Sequence, residues 1–484
     1  MSQIFIYNSV STALVKDDQT TCQSKTVCDF SHILPDYREE LSKKDVDYTF
    51  TEKEKLPQIV VNRYKMTSQL WSPDKIVTPD KWQHDVDIYI PEKPKTQRAL
   101  VVVNDGVNYG DSSKDTNKPT DFSEVTLAEI ARATHTIVIS VSNIPNQYLI
   151  YLNDDQPLEE DDNVAQSWVL FMDSPEQRKL IPLHIPMSIS VSQAMRVAKK
   201  ELTQWNINKF IITGASKRGL TVWLTAISDP SVEAIIPFVF DLLGTDVALE
   251  HMYRSYGGNW PIAFGPYYHR GIDKRIKTPA FSKLMAIEDP LRYINSIYQS
   301  RLTIPKYIVN ASGDDFYAPD NTKFYYDKLP GEKSLRVVPN TDHHGILNFT
   351  VQSLIPFINR YQNKKTAPQI KSFIHNKKLT THFSEKPVKI TLWTAINTKA
   401  RDFRYSCGIR YTSSSIDIPP DNKVDVLLDY PNYGWEATYI EATFSDGFVG
   451  TTQVYITPDE KYAKTTPPSE GEACQTLPGR GLSL

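Results

Sequence analysis

Six short, almost wholly apolar runs separated by helical patterns constrain the fold of this chain more than any other feature. Strands that are apolar on both faces are buried on both faces, as in parallel sheets that helices cover. Alternation of such strands with helices predicts an α/β protein with a mostly parallel sheet. The runs occupy residues 99–104, 136–141, 210–213, 234–240, 306–310 and 335–338.

The segments before this alternation predict a less regular start. Residues 58–71 alternate in places and residues 82–91 alternate cleanly, so we expect two strands there, the second ending at Pro91. Residues 1–50 are polar and mixed, which predicts an irregular or partly helical segment. The α/β domain is then expected to span residues 51–365.

Two long stretches interrupt the alternation of strands and helices. Residues 145–190 are rich in Asp, Gln, Trp and Pro, and residues 244–300 are rich in Tyr, Trp, Gly and Arg. Insertions of this length are uncommon in compact domains unless they are functional. We therefore predict that both are lid segments over one face of the sheet.

The composition changes after about residue 365. Residues 366–386 are basic and polar and predict a linker, whereas residues 387–460 alternate with period two and predict a small antiparallel, β-sandwich-like domain. Residues 461–484 contain Pro, Gly, Ser and Thr with little apolar content, which predicts a loose tail.

Charge and hydropathy disfavour two classes of protein. The chain has 54 basic and 57 acidic residues, so it lacks the basic excess of a typical nucleic-acid-binding protein. It contains no run of about 18 apolar residues that would predict a membrane-spanning helix. The apolar start of the chain is interrupted at Asn8, Ser9 and Ser11, so no convincing signal peptide is visible.

The four cysteines do not have the spacing of a metal site. They are Cys22, Cys28, Cys407 and Cys474. Cys22 and Cys28 are close enough to bridge a short loop in an oxidising compartment, but we expect free thiols. No metal or other cofactor is predicted.

The sharpest chemical signal is the sequence GASKRG at residues 214–219. It follows a buried strand and precedes a helical pattern at residues 220–226, which is the context of a nucleophile elbow. Ser216 would then stand in a sharp turn at the helix N-terminus, where backbone N–H groups can stabilise an oxyanion. The usual pattern is G-x-S-x-G, but Arg218 occupies the last position and the glycine follows one residue later. The alternative is a tight turn with a purely structural role.

Two later strands end in residues that suit a catalytic triad. Asp314 follows the run at 306–310, and His343 follows the run at 335–338. In α/β hydrolases the nucleophile, the acid and the histidine occur in this order along the chain. We therefore predict that Ser216, Asp314 and His343 meet at one edge of the sheet.

Neighbouring residues leave the identity of the triad's aspartate and histidine open. Asp315 adjoins Asp314, Asp241 follows the run at 234–240, and His344 adjoins His343. We favour Asp314, with Asp315 pointing away toward solvent or the linker. The histidines and aspartates lack recognised metal-ligand spacing, which disfavours a metal site.

The oxyanion hole needs two backbone donors. One is predicted to be the N–H of Lys217, directly after the nucleophile, and the other that of Val107, in the loop at residues 104–110. An ordinary connecting loop is the alternative for this segment. The Lys217 side chain is expected in solvent, although its charge could meet an anionic substrate group.

Several stretches together resemble the PhoPQ-activated pathogenicity-related protein family, whose members are relatives of the α/β hydrolases. The resemblance covers residues from about 80 to 455. The matching stretches are residues 214–230; IPNQ at 144–147, EDD at 160–162 and Trp168; LHIPM at 183–187 and AM at 194–195; NASGD at 310–314 and PNTDH at 339–343; and LWTA at 392–395 and ARDFR at 400–404.

The resemblance implies a set of catalytic residues and a cellular location. The family pattern matches Ser216, Asp314 and His343, but this chain has Asp315 where the family usually has Glu. Members are mostly exported, which implies a secreted or periplasmic protein despite the lack of a visible signal peptide. Some bacterial relatives are linked to virulence regulation, and a eukaryotic relative is similar to a secreted repressor of cell proliferation.

Two functions are therefore in competition. The first is a serine hydrolase that cleaves an ester or peptide bond of a small substrate. The second is a non-enzymatic signalling or binding protein on a hydrolase scaffold, with a possible cell-surface receptor as its partner. Residues 400–404 are predicted to be structural, as an ion-paired corner that docks the β domain on the hydrolase domain.

Overall fold

A nine-stranded sheet forms the centre of the protein in a computed structural model that describes residues 29–108, 119–152, 154 and 156–483. The helices are α1 (Ile33–Ser42), α2 (Glu124–Thr134), α3 (Glu160–Asp173), α4 (His184–Glu201), α5 (Lys217–Ser228), α6 (Thr245–Ser255), α7 (Gly265–His269), α8 (Pro279–Glu288) and α9 (Thr350–Gln362). The strands are β1 (Asp47–Leu56), β2 (Ile59–Leu70), β3 (Val77–Thr78), β4 (Lys81–Pro91), β5 (Arg98–Val103), β6 (Ile137–Val141), β7 (Ile150–Tyr151), β8 (Lys209–Ala215), β9 (Val232–Phe238), β10 (Trp260–Pro261), β11 (Lys306–Ala311), β12 (Lys333–Val338), β13 (Ile370–His375), β14 (Lys378–Phe383), β15 (Lys389–Asn397), β16 (Thr412–Ile416), β17 (Lys423–Leu427), β18 (Trp435–Thr443), β19 (Val449–Thr451), β20 (Tyr455–Thr457) and β21 (Thr476–Leu477).

The sheet has the order β1-β2-β4-β6-β5-β8-β9-β11-β12. The pairs from β6 to β12 are parallel, whereas β1, β2, β4 and β6 pair antiparallel. Helices α4 and α5 contact one another beside the sheet, and α2 and α9 form a second contacting pair. This is the α/β-hydrolase type of fold, as predicted.

The burial of β5 on both faces explains its apolar run from residue 99 to residue 103. Val101 and Val103 belong to the same apolar cluster as helices α4 and α5, whereas Leu100 and Val102 belong to a second cluster with α2 and α9. Both faces of the strand are therefore covered from Ala99 to Val103, and only Arg98 at its start is partly exposed.

The N-terminal part of the described chain is more regular than predicted. Residues 1–50 were expected to be irregular or partly helical, and α1 is the helical part. However, β1 begins at Asp47 and forms an edge of the large sheet. Most residues of β1 are exposed and several are charged, so the strand lacks the apolar alternation that would have predicted it.

The two predicted lid segments are largely helical. The segment at 145–190 contains α3, and the segment at 244–300 contains α6, α7 and α8. Trp168 of α3 packs against Tyr267 of α7 and Phe281 of α8, so the two insertions contact each other. The predicted end of the first segment, at about residue 190, is too late. Helix α4 begins at His184 and is buried beside the sheet along most of its length.

The C-terminal region also begins earlier than predicted. The expected linker at 366–386 contains β13 and β14, which form a three-stranded antiparallel sheet with β17. These strands carry many polar and exposed residues, so their sequence gave no clear alternation. A second sheet contains β15, β16, β18, β19 and β20. The Tyr307 hydroxyl of β11 donates to the Val449 carbonyl at 2.6 Å and joins this domain to the large sheet.

The predicted loose tail is packed against the rest of the protein. Strand β21 pairs with β10 in the second insertion, and Cys474 forms a disulfide with Cys407. The sequence did not predict this disulfide, whose two cysteines lie 67 positions apart. Cys22 and Cys28 lie outside the described residues. Among the described residues, no helix is both long and apolar enough to cross a membrane.

Candidate active site

Ser216 lies in a sharp turn between β8 and α5. Its backbone has φ 57° and ψ −125°, a conformation that residues other than glycine rarely adopt. The turn is held on both sides, because the Ser216 N–H donates to the Phe238 carbonyl at 2.9 Å and the Ser216 carbonyl accepts from the Leu220 N–H at 3.1 Å. Strain of this kind persists where the surroundings enforce it, often at functional sites.

Two glycines allow this turn to form. A Cβ atom at Gly214 would lie 2.8 Å from the Arg218 carbonyl oxygen, and one at Gly219 would lie 3.0 Å from the Phe238 carbonyl oxygen. The close approach of α5 to β9 therefore falls at Gly219, one position later than in the usual motif. Arg218 is buried instead, and its Nε donates to the Ile144 carbonyl at 2.6 Å.

His343 joins Ser216 to Asp314. The His343 Nε2 lies 2.8 Å from the Ser216 Oγ, and its Nδ1 lies 2.9 and 3.0 Å from the two Asp314 carboxylate oxygens. A proton on Nδ1 can be donated to the carboxylate, which leaves the Nε2 lone pair facing the serine hydroxyl. This is the tautomer that a general base for Ser216 requires.

The Asp314 carboxylate is fixed by its own loop. Its Oδ1 accepts the backbone N–H groups of Phe316 at 2.7 Å and Tyr317 at 3.2 Å. The rings of the same two residues pack against the His343 imidazole, with centroids 4.7 and 5.8 Å away. The loop after β11 therefore positions both the acid and the histidine.

Electrostatics favour a histidine that can accept a proton. Burial alone would lower the pKa of His343, but the Asp314 carboxylate and its hydrogen bond outweigh burial and raise this pKa above its ordinary value. The Lys217 ammonium opposes this effect and Asp161 supports it.

The alternative residues lie elsewhere. Asp315 was expected to point toward solvent or the linker, but its Oδ1 accepts from the Ser406 hydroxyl of the C-terminal domain at 2.7 Å. Asp241 accepts from the Tyr325 hydroxyl at 2.6 Å, and burial raises its pKa well above the usual range. His344 is exposed at the rim of the site.

The two predicted oxyanion donors differ in how they are placed. Lys217 is the first residue of α5, so no carbonyl within the helix can accept its N–H. Val107 is half-buried in the loop after β5. This loop is attached to Gln147, whose Nε2 donates to the Gly106 carbonyl at 3.0 Å and whose carbonyl accepts the Asn108 N–H at 3.1 Å. A role for the Val107 N–H stays a prediction.

The Lys217 side chain is not in solvent, contrary to expectation. It is only 8% exposed, and its Nζ lies 2.7 Å from the Glu160 Oε2 and 3.2 Å from the Asp161 Oδ2. Burial opposes its charge, but these two carboxylates raise the pKa of Lys217 above its ordinary value. Its charge is therefore matched within the protein, which disfavours the suggested contact with an anionic substrate.

Arg218 extends this cluster of charges. Its guanidinium lies 2.5 Å from the Glu160 Oε1 and 3.1 Å from the Asp121 Oδ2. Burial raises the pKa of Glu160, but Arg218 and Lys217 together hold it far below the usual range. Because Glu160 opens α3, the cluster attaches the first insertion to the turn that carries Ser216.

Sequence reasoning missed the roles of Glu160, Asp161 and Asp121. The EDD sequence at 160–162 contributed to the family resemblance, but the contacts of Glu160 with Lys217 and Arg218 span more than 50 positions. The only local signal was three acidic residues in the first turn of a helix, where carboxylates are favoured by the helix dipole.

A mostly apolar pocket opens beside Ser216. Helices of both insertions form its walls with α5 and the loops after β9 and β11. The lining residues are Asp161, Trp168, His184, Ser216, Lys217, Leu220, Phe240, Leu242, Thr245, Leu249, Met252, Phe264, Tyr267, Met285, Glu288, Phe316 and Tyr317. A second, more polar cleft reaches Ser216 and His343 from the side of Glu160 and Arg218.

The sequence from residue 34 to residue 404 matches the PhoPQ-activated pathogenicity-related protein family. The chain belongs to this family. The match includes the whole large sheet from β1 to β12 and the turn, loops and insertions that form the site. The chain is also 28% identical over 443 residues to Autocrine proliferation repressor protein A of Dictyostelium discoideum, with 86% of each chain covered.

Solved structures of esterases are similar to this family member at low sequence identity. An acetyl xylan esterase from Paenibacillus sp. R4 is 12% identical with a TM-score of 0.44, covering 70% of this chain and 96% of the esterase. Acetyl Xylan Esterase 1 from Thermoanaerobacterium sp. JW/SL YS485 is 13% identical with a TM-score of 0.40, covering 68% and 93%. These similarities do not identify a substrate for this chain.

Proposed function

We propose that the protein is a serine hydrolase that cleaves an ester or amide bond. One observation carries the proposal. The hydroxyl of Ser216, in a strained turn at a helix N-terminus, lies 2.8 Å from a histidine whose other nitrogen contacts a buried carboxylate. A serine that only shaped a turn would not need a histidine and an aspartate aligned behind it.

The geometry supports a two-step mechanism. Ser216 Oγ attacks the substrate carbonyl while His343 Nε2 takes the hydroxyl proton, and Asp314 stabilises the imidazolium that forms. The Lys217 N–H donates to the oxyanion. His343 then returns the proton to the leaving alcohol or amine, and an acyl group remains on Ser216. Water, activated by His343, hydrolyses this acyl-enzyme and restores the serine.

The surroundings of Ser216 favour an uncharged group around the reacting carbonyl. Lys217 is paired with Glu160 and Asp161, so no unmatched cation lies next to the serine among the described residues. The adjoining pocket is lined mainly by apolar and aromatic side chains. Pockets with few, well-placed polar groups are typical of small-molecule sites.

A fluorophosphonate probe tests this proposal, because it labels a serine only when that serine is activated. We expect the folded wild-type protein to be labelled and the Ser216→Ala variant to remain unlabelled. Ser406→Ala is a matched control, because it removes a hydroxyl that donates to Asp315, next to Asp314 in sequence, and this variant should label normally. Labelling that persists in folded Ser216→Ala would overturn the assignment of the nucleophile.

The alternative is a non-enzymatic signalling protein on the same scaffold. It is favoured by one observation, namely that a relative matching 86% of this chain is named as an autocrine proliferation repressor. The same probe separates the two functions. If the folded wild-type protein is not labelled and hydrolyses no ester or amide in a broad panel, the hydrolase proposal is wrong and the signalling function is favoured.

A further inference from the structure

The pocket beside Ser216 contains a buried pair of polar side chains that the proposed mechanism does not use. His184 is the first residue of α4, and Glu288 is the last residue of α8. Each is 2% exposed. The His184 Nδ1 lies 2.7 Å from the Glu288 Oε2, and both residues line the pocket.

These two side chains lack hydrogen-bond partners among the described residues. The close contact between them falls within ion-pair distance but outside hydrogen-bond geometry. Apart from this contact, the His184 Nε2 and the Glu288 Oε1 are buried without a hydrogen-bond partner among the described residues. Buried polar groups in folded proteins are nearly always hydrogen-bonded, so two such atoms on residues that line one cavity point to a further group bound there.

The charges of the pocket favour a cation. Glu288 and Asp161 both line it, and the only lysine or arginine among its described lining residues is Lys217. The Lys217 ammonium is already matched by two carboxylates. Asp161 is one of these two carboxylates, so Glu288 is the lining carboxylate that no described lysine or arginine of the pocket neutralises, and it would attract a cation.

The walls of the pocket also suit a cation. Aromatic rings of Trp168, Phe264, Tyr267, Phe316 and Tyr317 line it, and the faces of such rings attract ammonium groups. The Tyr267 hydroxyl donates to the Asp161 Oδ1 at 3.0 Å, which fixes one of these rings.

The size of the pocket limits its occupant. Its cavity volume is about 40 Å³. Measured in the same way, a cavity needs roughly 10–15 Å³ to hold a single water. A group of only a few non-hydrogen atoms therefore fits without movement of the walls.

We propose that this pocket binds the acyl part of the substrate and that His184 and Glu288 bind a primary ammonium group at its end. The inference rests on the proposed hydrolase function. An ammonium supplies three donors, and the Glu288 carboxyl and the His184 imidazole can supply acceptors. An alcohol of the same size supplies a single donor and no charge, so it satisfies the pair less well.

The binding test is made without catalysis, in the Ser216→Ala protein. By calorimetry, propylammonium should bind at least tenfold more tightly than propan-1-ol, and Glu288→Gln should remove this preference. Glu250→Gln is the matched control, because Glu250 pairs with Lys277 at the surface of α6. Equal affinity for the two ligands, no measurable binding of propylammonium at millimolar concentration, or a preference unchanged by Glu288→Gln would each overturn the inference. If Glu288→Gln does not fold, the comparison of the two ligands decides alone.

A second test compares p-nitrophenyl 3-aminopropanoate with p-nitrophenyl butanoate, in which a methyl replaces the ammonium. We expect kcat/KM to favour the amino ester at least tenfold, and Glu288→Gln to abolish the difference. Equal hydrolysis of both esters overturns the inference and leaves the hydrolase proposal intact. Failure to hydrolyse either ester, together with absent fluorophosphonate labelling, overturns the hydrolase proposal, while propylammonium binding still decides whether the pocket binds amines.

Discussion

Two histidines of this protein contact an aspartate in nearly the same way, but in opposite surroundings. The His343 Nδ1 lies 2.9 Å from Asp314, at the edge of the large sheet. The His251 Nε2 lies 2.9 Å from Asp320, between helix α6 and the C-terminal domain. A search for a histidine next to a carboxylate would therefore find both pairs.

The neighbours of each pair separate their roles. Beyond His343 stands Ser216, at a site that opens to two clefts. Beyond His251 stands the hydroxyl of Tyr462 at 2.9 Å, and Arg401 binds the Asp320 carboxylate at 2.6 Å. Arg401 is fully buried, so its charge acts on Asp320 and His251 without screening by water.

The two pKa values move in opposite directions. Burial lowers the pKa of His251 below its ordinary value, and Arg401 and Lys323 offset part of the opposing effect of Asp320. Burial also acts on His343, but the Asp314 carboxylate prevails and raises its pKa. The two pairs therefore differ in their surroundings: in this protein the aspartate beside His251 also binds a buried arginine, whereas the aspartate beside His343 accepts, among the described residues, only backbone N–H groups and the imidazole.

The strongest test of this difference removes the hydroxyl group that contacts each histidine, that of Ser216 or that of Tyr462. Ser216→Ala should reduce kcat by on the order of 10⁴- to 10⁶-fold, because no nucleophile remains. Tyr462→Phe should leave kcat within about threefold of wild type. Ester hydrolysis and melting temperature are measured for both variants. A large drop in the melting temperature of Ser216→Ala would count against its role, because an elbow serine contributes little to the core.

The next test distinguishes among the acids of the site. Asp314→Asn should reduce kcat by about 10³- to 10⁴-fold while folding is preserved, since the amide no longer selects the required tautomer of His343. Asp315→Asn and Asp241→Asn should reduce kcat far less, because these residues contact Ser406 and Tyr325 instead. If either of these variants is more damaging than Asp314→Asn, the assignment of the acid is wrong.

The pair at His251 should affect stability and not turnover. Arg401→Ala leaves the buried Asp320 carboxylate without its main partner, which should cost about 3–5 kcal/mol of unfolding free energy. Denaturant unfolding measures this loss, and kcat/KM per folded molecule should stay within about threefold. Arg410→Ala is the control, because Arg410 is exposed in the same domain. Wild-type stability of Arg401→Ala would contradict the structural role of residues 400–404.

The smallest effect concerns pH. His343 acts as a base only when neutral, so kcat/KM should rise with pH through a midpoint above the ordinary value of 6.5. The sign for stability is opposite at the two histidines. His343 stabilises the folded protein below pH 6.5, and this contribution is lost as pH rises through its raised pKa. His251 has a lowered pKa, so the folded protein loses stability as pH falls below 6.5. A kinetic midpoint at or below 6.5 would contradict the account of His343.

The sequence predicted the buried strands better than it predicted the edges of the fold. Strands β5, β8 and β11 are buried on both faces, which leaves an unmistakable apolar run in each. Strands β1 and β13 are exposed edge strands, so their residues follow no apolar pattern.

Long-range contacts could be predicted only where the topology of the sheet brings two residues together. The sequence placed Ser216, Asp314 and His343 at strand ends, because the topology brings such ends together. Nothing local indicated that Arg218 would meet Glu160, or that Cys407 would meet Cys474, since each contact depends on how an insertion or the tail folds back.

One measurement tests the central claim most directly. The rate of fluorophosphonate labelling at Ser216 is compared in wild type, Asp314→Asn and Asp320→Asn, each normalised to its folded fraction. We predict that Asp314→Asn slows labelling by orders of magnitude at an unchanged melting temperature, whereas Asp320→Asn labels at the wild-type rate with a lower melting temperature. Equal labelling rates in the two variants, or slower labelling in Asp320→Asn, would contradict the claim that only the His343 pair activates Ser216.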